Sequence, residues 1–307
     1  MPFSHPPPYS IPSSSSLDVR SHGQSRTTIP RYPGLPVIDY RQYSPPMFDL
    51  SHDTTTITSK AKYLSENVRA LAALLRNLAT VPPKPQIHVT GTRGRKVDFS
   101  IKLNLLNLLV SDDKLGRMDY LRLVNRDEMA YRGGIQPSLK PDIGDGGLED
   151  WYRRFIDDHS NVKTFLLERV VANMDTEWLG GQLRNLVAET DYKGLVTVTF
   201  PVTHSRVVIQ NPDKVNRFFT SVSTLFSGKS KYEVVKVVWP FSNAKNGERD
   251  RVCMVQDEKT WWEEWKDPIK YAVATRRHGW VTNEDKLECI MESKGKGVSI
   301  VDWGPDL

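Results

Sequence analysis

The stretch QIHVTGTRGRKVDFSIKLNLLNLLV, residues 86–110, carries the clearest structural signal in the chain. Its second half alternates between apolar and polar residues, a period of two that predicts a strand half buried in a sheet. The alternating apolar residues are Val97, Phe99, Ile101, Leu103 and Leu105. Together with IHVT at 87–90, the pattern predicts a β-hairpin whose connection is GTRGRK at 91–96.

A helical pattern precedes the hairpin. Apolar residues follow one another at spacings of four and three, which predicts an amphipathic helix over 57–80. These residues are Ile57, Ala61, Leu64, Val68, Leu71, Leu75 and Leu78. The same spacing is that of a coiled-coil heptad, so the helix either packs on its own domain or pairs in a short dimer. Leu74 widens the apolar stripe beyond a narrow seam and favours packing on its own domain.

The rest of the chain adds helices and strands that together predict an α+β fold. Periodicity of the helical kind predicts about seven helices in all, including 160–170 and 211–226. Strands are predicted at 194–200, 205–210, 231–241, 250–256 and 298–303. Because short turns join neighbouring strands, we expect antiparallel hairpins packed with these helices.

The N-terminal residues differ in composition from the rest. The first fifty hold ten of the twenty prolines and nine serines, but no lysine or tryptophan. Such a segment cannot bury enough apolar surface to offset the entropy cost of ordering. We therefore predict a disordered Pro/Ser-rich tail over 1–54, followed by a single α+β domain over 55–307.

The cysteine content and the hydropathy of the chain indicate the cellular compartment of the protein. The two cysteines, Cys253 and Cys289, are too few for a disulfide framework, which favours a reducing environment. The most apolar stretch, residues 68–81, contains two arginines and is shorter than the roughly 20 residues of a membrane-spanning helix. The sequence predicts an intracellular protein of the cytoplasm or nucleus, with no transmembrane segment.

A short motif in the tail suggests a docking peptide. Pro6, Pro7, Pro8 and Tyr9 resemble the P-P-x-Y pattern recognised by one group of WW domains. Consecutive prolines favour the polyproline II helix, so little entropy is lost when they enter an aromatic groove. The resemblance covers four residues and implies a WW-domain partner such as a ubiquitin ligase. Pro-rich tails also produce such matches by chance.

A second segment of the tail is rich in tyrosine. Tyr32, Tyr40 and Tyr43 lie within RYPGLPVIDYRQYSPPMF, residues 31–48. A mere spacer does not need this aromatic content. We expect the segment either to strap onto the folded domain or to dock on a partner.

Positive charge is concentrated near the hairpin. Residues 61–110 carry a net charge of about +6, against +5 for the whole chain. Arg93, Arg95 and Lys96 lie at the predicted hairpin tip. Clustered cations displace condensed counterions, so the tip is a candidate phosphate-binding site for RNA or anionic lipid. The alternative is a solvated turn.

Three tryptophans form a second candidate contact. Trp261, Trp262 and Trp265 fall within six residues, and Trp262 points away from the helix face that the other two share. They either leave an exposed aromatic contact for a partner or seal the domain internally. Scattered histidines and the lack of a recognised catalytic motif predict no catalytic residue, cofactor or metal site.

These features favour a non-enzymatic intracellular adaptor or scaffold. Its tail would recruit WW-domain proteins, and its folded domain would bind another protein. The alternative is a phosphate-directed binder of RNA or anionic lipid that uses the hairpin tip. A third class is an enzyme of unrecognised type, because catalytic groups can converge from distant positions.

Overall fold

A computed structural model describes residues 36–112, 117–139, 146–160, 162–211 and 229–292. The helices are α1 (Val68–Ala79), α2 (Leu148–Asp157), α3 (Thr176–Ala188), α4 (Glu258–Ala274) and α5 (Asn283–Glu292). Short 3-10 helices are η1 (Tyr40–Tyr43), η2 (Lys62–Ser65) and η3 (Leu106–Leu108). The first six strands are β1 (Phe48–Leu50), β2 (Thr56–Ser59), β3 (Lys84–Arg93), β4 (Lys96–Asn104), β5 (Tyr120–Leu123) and β6 (Arg132–Gly134). The others are β7 (Val162–Ala172), β8 (Leu195–Thr199), β9 (Val202–Thr203), β10 (Arg206–Gln210), β11 (Lys229–Pro240) and β12 (His278–Trp280).

The α+β class and the hairpin are confirmed. β3 and β4 pair antiparallel, with Ile87 opposite Leu103 and Val89 opposite Ile101. Both strands extend further toward the tip than predicted, so the connection is residues 94–95 instead of 91–96. β12, β4, β3 and β8 lie side by side in a five-stranded sheet, and β9 extends it beside β3.

The second sheet has seven strands and mixed directions. Its order is β1, β2, β10, β7, β11 and β5, with β6 also paired to β11. The expectation of antiparallel hairpins alone is wrong, because β10 runs parallel to β2 and β11 runs parallel to β7. β12 is likewise parallel to β4. Such pairs join strands far apart in the chain, which short-turn patterns cannot reveal.

The predicted helix over 160–170 is wrong, because this segment is the central strand β7. It pairs with β10 on one side and β11 on the other. A strand buried on both faces shows a nearly continuous apolar run, and its spacing also satisfies a helical pattern. Phe165 on one face is 0% exposed, and Leu166 on the opposite face is 5% exposed.

The predicted helix over 57–80 is also wrong in its first half. α1 begins at Val68, where the Asn67 side chain accepts a hydrogen bond from the Ala70 amide. Ile57 instead belongs to β2, since β-branched threonines surround it and favour an extended backbone. Leu64 lies in η2. α1 contacts α2 of its own chain, as the packing alternative predicted.

The number of helices is lower than predicted among the described residues. Five α-helices are present there. The predicted strand at 250–256 is reduced to one bridge between Ser242 and Cys253. The predicted helix at 211–226 and strand at 298–303 lie outside the described residues, apart from Asn211.

The predicted tail boundary at residue 54 is too late. Residues 36–54 contribute to the folded body, with Ile38 4% exposed and Tyr43 5% exposed. The segment straps onto the domain, one of the two alternatives for its tyrosines. Residues 1–35 lie outside the described part of the chain.

The inner faces of the two sheets and the helices share one apolar core. α2 packs on β7 and β11, while α3 contacts β8 and α4 contacts β4. This packing covers one side of the five-stranded sheet and leaves its other side toward solvent. Among the helices that the structure describes, none has the length and apolar character needed to cross a membrane.

Candidate functional site

The solvent side of the five-stranded sheet is the candidate site. Side chains alternate across a strand, so the residues between buried ones in β3 and β4 point outward. Ile87, Val89 and Ile101 form the inner side and are 0% exposed. We call the solvent side the outer sheet face and define it as Gln86, His88, Thr90, Ser100, Lys102, Thr197, Thr199, His278 and Trp280.

Strand register arranges most of these residues in two rows. The first row is Trp280, Lys102, His88 and Thr199. The second row is His278, Ser100, Thr90 and Thr197. Neighbouring strands lie about 4.8 Å apart, so each row spans about 14 Å. A flat, polar surface of this width contains cationic, hydroxyl and aromatic groups but no carboxylate.

A β-bulge near the tip turns the one acidic residue of these strands inward. Asp98 is the single Asp or Glu in β3, β4, β8, β9 and β12. The register shifts between Gly91 and Thr92, and Asp98 is 3% exposed. Arg93 Nε donates to Asp98 Oδ2 at 2.6 Å, and the Tyr192 hydroxyl donates to the same oxygen at 3.0 Å.

These contacts keep Asp98 ionised although it is buried. The hydrogen bond from Arg93 is the largest cause of a lowered Asp98 pKa, and it outweighs the opposite effect of burial. The Arg93 side chain is itself only 10% exposed. The negative charge is therefore balanced inside the hairpin.

The structure separates the three predicted phosphate-binding residues. Arg93 turns inward to Asp98, whereas Arg95 and Lys96 stay exposed at the tip. Arg95, Lys96 and Lys102 make no ion pair or side-chain hydrogen bond with other residues that the structure describes. Arg95 and Lys96, which were predicted, and Lys102, which was not, thus remain available to bind an anion.

His88 lies in the middle of the outer sheet face. Its Nε2 is 2.8 Å from Gln86 Oε1, which orients the ring along the strand. Partial burial, and then the positive charge of Lys102, lower the His88 pKa. His88 is therefore neutral near pH 7 and can serve as a hydrogen-bonding or stacking group.

Trp280 is the functional candidate that sequence reasoning missed. β12 places it beside Lys102, and it is 43% exposed. Gly279, at φ +117°, occupies a backbone conformation that other residues rarely adopt, and it allows this short strand to follow α4 closely. No local pattern in the stretch RRHGW at 276–280 indicates its pairing with β4.

Of the two alternatives for the three tryptophans, the structure supports internal packing and not an exposed aromatic contact. Trp261, Trp262 and Trp265 are 1%, 8% and 7% exposed. The rings of Trp261 and Trp265 stack at 6.1 Å between centroids, and Lys286 Nζ lies 5.6 Å from the Trp265 ring. Their large apolar area is used to pack α4 on the core, which a helical wheel of α4 alone could not reveal.

The predicted docking residues Pro6, Pro7 and Tyr9 lie outside the described residues. The segment that links them to the domain is described from residue 36 onward. Twenty-six residues, 10–35, therefore separate the motif from the first described residue.

A buried cationic cluster holds that segment on the domain. The Arg169 guanidinium lies 5.5 Å from the Tyr43 ring centroid, and Lys84 Nζ lies 4.3 Å from it. The Tyr43 hydroxyl donates to the Pro82 carbonyl at 2.5 Å. Arg169 Nη1 donates to the His204 carbonyl at 2.7 Å. Aromatic faces and carbonyls thus stabilise the buried cation.

Burial also changes the ionisation of this cluster. It lowers the pKa of Arg169 to about 10, which leaves the guanidinium charged at neutral pH. Burial, and then the charges of Lys84 and Arg169, lower the pKa of His204 to about 4. His204 is therefore neutral beside two cations.

A pocket of about 310 Å³ lies on the seven-stranded sheet, apart from the outer sheet face. Glu128, Glu168 and Glu233 line it, together with Lys236. Lys236 Nζ bonds to Glu128 and lies 3.7 Å from Glu168, while Arg206 Nη2 lies 3.7 Å from Glu233. Each carboxylate therefore has a cationic neighbour. Among the described residues, no cluster of three or more His, Cys, Asp or Glu side chains is suited to bind a metal ion.

Comparisons with protein-family models, curated proteins and solved structures found no match to the chain. The interpretation of the outer sheet face consequently depends on its own geometry and charge.

Proposed function

We propose that the protein is a phosphate-directed binder, with the outer sheet face and the adjoining hairpin tip as its binding surface. The ligand is a polyanion that carries repeated phosphates. Its phosphates contact Lys102 in the sheet and Arg95 and Lys96 at the tip.

The single observation behind this proposal is the distribution of charge. The one carboxylate of these strands, Asp98, is buried against Arg93, while Lys102, Arg95 and Lys96 form no ion pair with an acidic residue that the structure describes. Surface cations on most proteins are interspersed with acids, which reduces their attraction for anions. A face that lacks acids keeps its full attraction.

Binding of inorganic polyphosphate at increasing salt tests this proposal, because polyphosphate has phosphates but neither bases nor lipid chains. We expect binding at low salt that weakens steeply as salt rises, since counterions are released on binding. The variant Arg95→Gln/Lys96→Gln/Lys102→Gln should bind weakly and with less dependence on salt.

The matched control removes three exposed cations elsewhere, as Lys245→Gln/Arg249→Gln/Lys259→Gln. It carries the same net charge as the test variant and should retain binding. An absence of binding to the unmodified protein at low salt would rule the proposal out. Equal loss in both variants would show that net charge alone attracts the polyanion.

A second proposal is that the protein acts as a non-enzymatic adaptor for WW-domain proteins. Tyr43, packed on Arg169 and Lys84, supports this proposal because it ties the segment that follows the P-P-x-Y motif to the domain. A partner bound at Tyr9 would therefore be tethered near the folded body, with 26 intervening residues.

Capture by isolated WW domains tests the adaptor proposal. Unmodified protein should be recovered, and Tyr9→Ala should be lost, because the tyrosine fills a pocket beside the proline groove. Tyr32→Ala serves as the control, since Tyr32 lies in the same N-terminal part outside the motif. Equal recovery of the unmodified protein and Tyr9→Ala would remove the docking claim. Both proposals place the protein inside the cell, which a content of only two cysteines favours.

A further inference from the structure

We infer that the ligand of the outer sheet face is single-stranded RNA, with Trp280 as a stacking platform for a base. The inference rests on the proposed function, because the same cations contact the phosphates. It adds the class of ligand and the residue that contacts the bases.

The position of Trp280 suits base stacking. It lies on an edge strand beside Lys102, with His88 next in the same row. An exposed indole next to a cation offers a base a π-face within reach of its own phosphate. Three other tryptophans, Trp261, Trp262 and Trp265, are each at least 92% buried, whereas Trp280 is 43% exposed.

The centre of the face favours RNA over a membrane. The hydroxyls of Thr90 and Ser100 lie between Lys102 and the tip, and those of Thr197 and Thr199 lie beside them on β8. All four can bond base edges and 2′-hydroxyls. A lipid bilayer would place these polar groups against apolar chains or crowd them among headgroups. It would offer them no bases to recognise.

The exposed apolar residues beside the outer sheet face form no continuous patch with Trp280, which argues against membrane insertion. Val97 and Leu195 both flank Thr92 at the tip end, whereas Trp280 lies in the row of His88. Thr92 and His88 are four residues apart in one strand, which corresponds to about 13 Å. Trp280 and the apolar residues of the tip are therefore separate.

Fluorescence anisotropy with a labelled uridine-rich 15-nucleotide RNA tests the inference. Parallel titrations use DNA of the same sequence, an RNA duplex of the same length and phosphatidylserine vesicles. We expect the single-stranded RNA to bind most tightly. Trp280→Ala should weaken its binding about tenfold with little change in salt dependence, because stacking is sequence-tolerant and uncharged.

Two further variants separate stacking from folding. Trp280→Phe keeps an aromatic ring and should restore most of the affinity. Tyr63→Ala removes another exposed ring, Tyr63 being 50% exposed, and should bind as the unmodified protein does. RNA should quench the fluorescence of the unmodified protein more than that of Trp280→Phe.

Several outcomes would overturn the inference. Unchanged RNA affinity in Trp280→Ala would remove the stacking role. Equal binding of duplex or DNA would remove the assignment to single-stranded RNA, and vesicle binding without RNA binding would assign the face to lipid. Each of these can occur while polyphosphate still binds, so failure of this inference is distinct from failure of the proposed function.

Discussion

The Arg93 guanidinium and the Asp98 carboxylate meet across the β-bulge, with Nε and Oδ2 2.6 Å apart and side-chain exposures of 10% and 0%. The pair links the end of β3 to the bulged residue of β4. It removes a negative charge from the hairpin surface and leaves the two cations of the tip facing solvent. The bulge therefore shapes both the fold and the charge of the outer sheet face.

The first prediction concerns this ion pair. Asp98→Asn should lower the free energy of unfolding by about 3 kcal/mol, because it leaves the buried Arg93 charge without its partner. Urea unfolding monitored by circular dichroism measures the change. Asp49→Asn is the control, since Asp49 and Lys60 form an exposed pair worth less than about 1 kcal/mol. Equal effects of the two substitutions would contradict the prediction.

The second prediction compares two glycines. A β-carbon at Gly91 would lie 2.1 Å from Cε1 of the buried Phe99, so Gly91→Ala should destabilise the protein by about 1–3 kcal/mol. Gly181 lies within α3 with open space around its β-carbon position. Gly181→Ala should stabilise by about 0.5–1 kcal/mol. Thermal unfolding should show a lower melting temperature for Gly91→Ala and a higher one for Gly181→Ala. Stabilisation by Gly91→Ala would contradict the close packing of Phe99 against the Gly91 backbone.

The third prediction concerns the anchor of the N-terminal strap. Tyr43→Phe should cost about 1–2 kcal/mol, because the Pro82 carbonyl loses its donor. Tyr43→Ala should cost about 3–5 kcal/mol, because the ring also covers Arg169 and Lys84. Limited proteolysis should then cut within residues 36–50 faster. Tyr63→Ala, at an exposed site, should leave stability and cleavage unchanged, and similar behaviour of all three variants would argue against an anchor.

The fourth prediction is a pH dependence that originates at His204. Its folded pKa is about 4, against about 6.5 in the unfolded chain, so below pH 6.5 the unfolded state binds a proton that the folded state does not. Its contribution to stability is complete above pH 6.5 and is lost as pH falls toward 4. Lys84 and Arg169 face the ring and oppose its protonation.

His204→Asn tests this pH dependence, because asparagine tolerates the φ of +53° at this position. The loss of stability between pH 7.5 and pH 5 should be smaller in this variant than in the unmodified protein. His52→Gln, at an exposed histidine, should leave the loss unchanged. An identical pH dependence in His204→Asn would show that other groups cause it.

Local patterns predicted the elements whose signal lies within one segment. The alternation around Phe99 and Ile101 indicated the hairpin, and the apolar stripe of Leu71, Leu75 and Leu78 indicated α1. The same reasoning failed at Phe165 and Leu166, since a strand buried on both faces has no alternation to detect. It also failed between Ile57 and Leu64. There the apolar residues keep heptad-like spacing although they belong to a strand and a 3-10 helix.

The candidate site was predicted in part. Arg95 and Lys96 were recognised from the charge of the tip, and the structure leaves both exposed. Arg93 was grouped with them because the bulge that pairs it with Asp98 leaves no mark in the sequence. Trp280 and Lys102 are 178 positions apart in the chain, and strand register alone brings them together.

The amino-acid sequence by itself determined the alternation of the hairpin, the caps and apolar stripes of several helices, and the concentration of positive charge near residues 84–102. These properties depend on neighbouring residues, whose spacing sets backbone conformation and the side that becomes buried. Tertiary structure alone decided which strands pair, that Asp98 turns inward and that Trp280 stays in solvent. Those outcomes depend on contacts between segments that are distant in the chain. Such contacts stabilise the fold only when the whole core forms, because the entropy cost of ordering is then offset by the burial of apolar surface.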